Sequence, residues 1–315
     1  MKIRHKAEIG LQLVKSKFFR LYSPLITSWE ITTQCNKNCS YCTISRKGEF
    51  MDYSKCTEII ENLRKRGTKV ISFTGGEPTM HPEITKILAL AKNKIPYIIL
   101  TTNGYQLKKG MFQYIDQVIL SLDGPEKTND NIRGAGSFDT TIKAIKLCQK
   151  NQKKCALNCV LSDSNKDYVK ETLKIAKSME VGIVFQPIFG KDNQIKDLKA
   201  YRRNIKYLLR EKAKGNMHLL NSTKVLNEYY NYPKKVSANC ISGKVYLRLN
   251  PLGEVKSCGF FPSKNKKVTG LGTNRELFRS VNVVGCKECI CNNLLTLSYV
   301  YELNLKVIWD LFRRI

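Results

Sequence analysis

The chain has 315 residues, 42% of them hydrophobic, enough to bury one large core or a large core with a small appendage. No stretch approaches the ~18 consecutive apolar residues of a spanning helix, and the first residues lack the unbroken apolar centre and cleavage site of a signal peptide. A cytoplasmic protein is therefore expected, in which twelve cysteines argue for metal or redox chemistry rather than a disulfide framework. The formal charge of +28 suits a polyanion such as nucleic acid, an anionic membrane or an acidic peptide, although lysines spread over every face also describe an ordinary solvated surface.

Residues 1–25 form a basic segment in which Leu11, Val14, Phe18 and Leu21 fall on one helical face while Lys2, Arg4, Lys6, Lys15, Lys17 and Arg20 supply positive charge. Such a helix either lies at the inner face of an anionic membrane or packs across the rest of the chain. Six β-rich runs follow, at 26–31, 69–74, 97–102, 117–122, 155–161 and 182–188, with amphipathic stretches between them. The alternation predicts an α/β fold with a parallel sheet of repeated β-α units, a partial (β/α)6 TIM-like barrel over residues 26–190. Within it, a helix from Ser54 to Arg66 carries Cys56, Ile59, Ile60 and Leu63 at helical spacing, and a segment from Phe138 carries Ile142, Ile145 and Cys148 likewise, so Cys56 and Cys148 read as core residues. In the fifth strand Cys155, Leu157 and Cys159 share the face toward the helices, and Asn158 points into the barrel, where it needs a partner or a ligand.

After the barrel, residues 191–237 read as a helical linking region; its stretch to residue 235 has twelve basic against four acidic side chains. Residues 238–315 read as a small C-terminal module with five further cysteines.

Cys35, Cys39 and Cys42 follow directly on the first strand, at the strand end where a barrel of this kind places its chemistry. Three thiolates at short loop spacing suit a [4Fe-4S] cluster with one iron left open. The competing reading is a zinc site that borrows a fourth ligand, but the only histidines are at 5, 81 and 218, none near the triplet in sequence.

The stretch CNKNCSYC, with GGEP at 75–78, TTNG at 101–104 and SLDG at 121–124, resembles the radical S-adenosylmethionine (radical SAM) superfamily, each motif lying at the end of a successive strand. The resemblance implies that Cys35, Cys39 and Cys42 hold the cluster and that its open iron chelates S-adenosylmethionine, which is cleaved reductively to a 5'-deoxyadenosyl radical. It further implies that Tyr41 lies beside the adenine and that Gly75, Gly76, Glu77 and Pro78 line the methionine amino group. Ser121 and Arg133 would meet the carboxylate, and Thr102, Asn103 and Asn158 the ribose or nearby polar atoms. The residue types agree: successive glycines let a ligand approach the backbone, and a guanidinium fork suits a carboxylate. A reductant such as flavodoxin or ferredoxin follows from the same likeness.

Cys240, Cys258, Cys286, Cys289 and Cys291 are similar to the twitch extension, or the first half of the longer SPASM extension, of some radical SAM enzymes. The likeness implies one auxiliary [4Fe-4S] cluster, with Cys289 or Cys291 as fourth ligand, that accepts an electron and makes the net reaction an oxidation. A zinc ribbon would want two close pairs instead. No residue names the substrate; a lipid-linked molecule, a ribosomally made peptide and a small sugar or alcohol all remain open, with Gln186 and Asn158 as candidates in the barrel mouth. An iron-sulfur protein without catalytic activity that binds nucleic acid is the reading from another class, and the motifs make nucleic acid the less favoured partner.

Overall fold

The computed structural model describes residues 3–44, 48–188, 195–232, 238–258, 266–281, 289 and 291–312. A first helix, α1 (Ile3–Phe19), precedes β1 (Ile26–Thr32), α2 (Tyr53–Lys65), β2 (Val70–Gly75), α3 (Ile84–Lys94) and β3 (Tyr97–Thr102). Next come β4 (Gln117–Ser121), α4 (Glu126–Arg133), α5 (Ser137–Lys150), β5 (Lys154–Leu161), α6 (Val169–Ser178) and β6 (Gly182–Pro187). The remainder is α7 (Leu198–Ala213), α8 (Thr223–Asn231), β7 (Tyr246–Leu249), β8 (Val255–Lys256), α9 (Asn274–Ser280), α10 (Asn292–Tyr301) and α11 (Leu305–Phe312). Each of the six expected strands is present, its ends shifted by one residue at most.

The sheet runs β6-β5-β4-β3-β2-β1-β7-β8, parallel throughout except for the β7–β8 pair. Side-chain alternation divides it into two faces. Phe73, Leu100, Val118, Leu157, Cys159, Ile183 and Phe185 are buried beneath the helices, where Trp29 also stacks on Phe73 at 5.8 Å. The alternate positions Ser72, Thr74, Thr101, Ser121, Asn158 and Gln186 are half-buried and polar. The covering helices follow the same logic: α2 buries Cys56, Ile59, Ile60 and Leu63, and α3 buries Ile84, Ile87, Leu88 and Ala91, one apolar stripe each. Cys148 is buried on α5 as expected, hydrogen-bonded to Cys155 of β5.

Two regions do more than the sequence indicated. Beyond α7, whose first turn is capped by the Asp197 carboxylate, residues 218–220 run along β6: the Ile183 amide donates to the His218 carbonyl at 2.7 Å and the Leu220 amide to Ile183 at 2.8 Å. Among its described residues the C-terminal region forms no separate sheet, because β7 pairs with β1 in register Ile26 to Tyr246 through Trp29 to Leu249. Both additions cover sheet edges whose backbone groups would otherwise lack partners. Among the described residues no helix is long and apolar enough to cross a membrane.

Candidate active site at the strand ends

The cysteine loop leaves the end of β1 and is held against the end of β2 by backbone hydrogen bonds: the Gly76 amide donates to the Thr32 carbonyl at 2.8 Å and the Glu77 amide to Gln34 at 2.7 Å. This close approach explains the paired glycines. A Cβ on Gly75 would lie 2.3 Å from the Thr32 oxygen, and one on Gly76 2.2 Å from that of Gln34, while Gly75 also has φ +135°. What the missing side chains admit in the structure is the backbone of the loop leading to Cys35.

Glu77 is fully buried and closes the other side. One carboxylate oxygen accepts from the Thr79 amide, the Thr79 hydroxyl and the Thr102 hydroxyl, at 3.1, 2.7 and 2.6 Å; the other accepts from the Asn103 amide at 2.7 Å. Burial raises its pKa while these donors oppose the shift. Pro78 begins the short turn that follows, and Thr102 is buried, its hydroxyl turned to Glu77. Asn103 reaches back to the cysteine loop, donating to Asn36 at 2.8 Å.

Asp123, the acidic residue of SLDG, stands at the centre of a buried polar group, a role that the sequence motif did not assign to it. It is wholly buried, accepts from the Tyr41 hydroxyl and the Val160 amide at 2.7 Å each, and pairs with the Arg133 guanidinium at 2.7 Å. Arg133 also donates to Tyr41 at 2.5 Å and reaches the Cys39 sulfur at 3.9 Å. The sequence signal was available, since an aspartate directly after a parallel strand and ahead of a helix is placed at the same end as the triplet. Burial works against the Arg133 charge, but Asp123, then Tyr41 and Cys39, outweigh it and hold its pKa above the ordinary value. Burial and the Asp123 carboxylate push the Tyr41 phenol well up.

Ser121 and Asn158 are neighbours across β4 and β5, half-buried on the polar face. The geometry thus gathers Tyr41, Gly75, Gly76, Glu77, Asn103, Ser121, Arg133 and Asn158 around the triplet's end of the sheet. Cys35 and Cys39 are half-buried and Cys42 is exposed. Burial raises the Cys35 thiol against the pull of the Lys37 amide, which donates to its sulfur at 3.4 Å; burial raises Cys39 against the charge of Arg133. Among the described residues no three His, Cys, Asp or Glu side chains gather closely enough to hold a metal ion. His81 is also withdrawn from such a role, its Nε2 on the Met51 carbonyl and its Nδ1 accepting from the Glu83 amide. Three thiols on one loop, supported by an amide and a guanidinium, fit a cluster whose ligands each take a different iron.

The second cysteine group is assembled from distant segments. The Ser242 hydroxyl donates to the Ser257 carbonyl, which brings the strand-flanking segments of Cys240 and Cys258 together. Cys291 caps α10, where the amides of Leu294 and Asn293 and the charge of Arg248 offset part of the rise that burial imposes on its thiol. Tyr246 lies within electrostatic reach of Cys291 and Cys258, and Tyr229 of Cys291 and Cys289. Cys286 lies outside the described residues. Gln186 accepts from the Asn292 amide at 3.3 Å, so this group is tied to the end of β6. Next to it, Arg248 and Lys256 contact Glu30 at 2.6 and 3.5 Å.

The family described as Radical SAM superfamily matches residues 29–176. The chain is 31% identical to Fe-coproporphyrin III synthase of Methanosarcina barkeri over 44% of this chain and 38% of that protein. It is 22% identical to AdoMet-dependent heme synthase of the same organism over 82% of this chain and 85% of that one. To the antilisterial bacteriocin subtilosin biosynthesis protein AlbA of Bacillus subtilis it is 27% identical, over 76% and 56%. The matches thus span from about two fifths to most of these relatives' lengths. The fold is shared with native anSMEcpe, solved with bound AdoMet and the Cp18Cys peptide: TM-score 0.66 and 18% identity, over 92% of this chain and 98% of that one. With its cysteine triplet, glycine-paired strand end and parallel strands in place, residues 29–176 of this chain form a radical SAM domain.

Proposed function

We propose that the chain cleaves S-adenosylmethionine reductively and takes a hydrogen atom from a bound substrate, with net oxidation. The observation that supports this most is the docking of the cysteine loop onto the Gly75–Gly76 strand end beside the buried Asp123–Arg133–Tyr41 group. Cys35, Cys39 and Cys42 hold a [4Fe-4S] cluster, whose chemistry when bound is to pass one electron, received from a flavodoxin or ferredoxin, to the sulfonium, giving methionine and a 5'-deoxyadenosyl radical. Arg133 supplies positive charge for the carboxylate, with Ser121 beside it, and Asp123 keeps that guanidinium oriented. The amides of Gly76 and Glu77 are engaged by the cysteine loop, which leaves acceptors rather than donors to meet an incoming ammonium. Thr102 acts through Glu77, and Asn103 and Asn158 face the ribose. Tyr41 lies against the adenine with its hydroxyl fixed on Asp123.

In residues 238–315, Cys240, Cys258, Cys286 and either Cys289 or Cys291 would hold one auxiliary [4Fe-4S] cluster. A cluster held there would supply an acceptor for the electron left on the substrate. For the substrate we favour a peptide, on the likeness to AlbA across three quarters of the chain. A carboxylate-bearing tetrapyrrole is the second reading, favoured by the near full-length match to the heme synthase and by the Arg248 and Lys256 cations beside the second cysteine group.

Anaerobic reconstitution with iron and sulfide, followed by reduction and measurement of 5'-deoxyadenosine, tests the reading. About eight irons and 5'-deoxyadenosine formation are expected, four irons per cluster. About four irons would remove the auxiliary site, and absence of 5'-deoxyadenosine would sink the proposal.

A further inference from the structure

We propose that the outer face of α1 docks on an anionic lipid surface, independently of the radical chemistry. The helix is amphipathic twice over. Its inner side meets the protein through Leu13, which packs on the core, through Ser16, which is fully buried with its hydroxyl 3.2 Å from that of Tyr301, and through Glu8, which pairs with Lys69 at 2.8 Å. The residues that the sequence places on one apolar face are on the other side. Leu11, Val14 and Phe18 are 57, 40 and 62% exposed, and Phe19 and Leu21 just beyond are 70 and 57% exposed. The helix covers the protein with one stripe and presents a second, apolar stripe outward.

Two more exposed leucines flank the turn between α10 and α11, which follows Tyr301, the partner of Ser16. Leu303 and Leu305 there are 46 and 79% exposed. Seven of the twelve exposed large apolar side chains among the described residues therefore belong to two segments joined at the Ser16–Tyr301 contact. Isolated exposed apolar residues need no explanation, but a concentration of this kind marks an interaction site.

Charge selects the occupant. Lys15 and Arg20 are exposed beside the apolar stripe, Lys17 sits 5.8 Å from the Phe18 ring, and Lys244 lies 5.9 Å from the ring of Tyr301. The sole acidic residue of α1 is Glu8, which is paired with the barrel. A second copy seated on this face would oppose these cations to their own images. Anionic headgroups neutralise them while the acyl boundary takes Phe18, Phe19 and Leu11, the arrangement of an interfacial helix.

The test is flotation of the full chain with vesicles of neutral phosphatidylcholine and with vesicles containing about one third phosphatidylglycerol. Binding to the anionic vesicles is expected to be at least about tenfold tighter, since each basic residue near such a surface contributes roughly that order with its neighbours. The F18S/F19S variant alters exposed positions only, and its circular dichroism should match that of the parent. It is expected to lose vesicle binding, whereas K15E/K17E is expected to lose the preference for anionic lipid. No binding to anionic vesicles at low salt, or equal binding to both compositions, overturns the proposal. So does concentration-dependent dimerisation that F18S/F19S abolishes without any vesicle binding, because the face would then belong to a second copy. None of these outcomes depends on S-adenosylmethionine cleavage, so failure here leaves the active-site reading separate.

Discussion

The two cysteine groups are built in opposite ways. Cys35, Cys39 and Cys42 lie within eight residues on one loop, and that loop is clamped by backbone hydrogen bonds from Gly76 and Glu77, just beyond β2. The second group draws on the segment before β7, the segment after β8 and the start of α10, joined by the Ser242–Ser257 contact and the Gln186–Asn292 hydrogen bond. A contiguous loop makes a site that local chain geometry nearly completes. A dispersed one exists only after the sheet has added β7 and α10 has docked on β6.

If the two groups have separate work, removing one should leave the other's signature. Cys39→Ala is expected to abolish 5'-deoxyadenosine formation and to lower the iron content by about four. Cys258→Ala should lose a similar amount of iron yet retain 5'-deoxyadenosine formation, with substrate oxidation lost. Loss of 5'-deoxyadenosine in Cys258→Ala would break the division between the sites.

Asp123→Asn sharpens what supports the first group. It leaves the buried Arg133 without its opposing carboxylate, and breaking a buried pair in this way costs about 3–5 kcal/mol, to be read by chemical denaturation of the full chain. A change below about 1 kcal/mol would mean that Arg133 finds another partner. Gly76→Ala places a methyl group against the Gln34 carbonyl and is expected to cost about 1–3 kcal/mol, with weaker iron retention at the triplet. Unchanged stability there would show that the loop and strand end are not clamped.

The smallest expected effect is one of pH. His81 holds a neutral ring between the Met51 carbonyl and the Glu83 amide, and a proton on Nδ1 would set N–H against N–H. Burial lowers its pKa from 6.5, the Met51 carbonyl and Glu83 opposing, so the unfolded chain binds the proton more readily. Its contribution is full above about pH 6.5 and is lost as pH falls through the folded value. The melting temperature of the wild type should therefore fall more steeply between about pH 7 and 5.5 than that of His81→Gln.

Much of the barrel was legible because its signals are local. The strands alternate, the helices place Ile59, Ile60 and Leu63 at helical spacing, and the motifs follow the strands directly. The gathering of the motif residues at one end of the sheet was legible for the same reason, except where residues act on one another. Glycines expected to admit a ligand admit the cysteine loop, Thr102 answers to Glu77, and Asp123 emerges as the group on which Tyr41 and Arg133 converge. Likewise Leu11, Val14 and Phe18 form an apolar face in any helical reading, but which face meets the protein depends on α10.

The sequence by itself determined the β-α alternation, the triplet at the end of β1 and the cysteine-rich end of the chain, since spacing along a strand, loop or helix is a property of neighbours. Tertiary structure alone decided that β7 extends the barrel sheet along β1, that Asp123 carries the buried charge opposite Arg133, and that α1 turns its apolar stripe outward. Those outcomes depend on which edges and charges are left without partners once the distant segments have packed, and no local pattern contains that information.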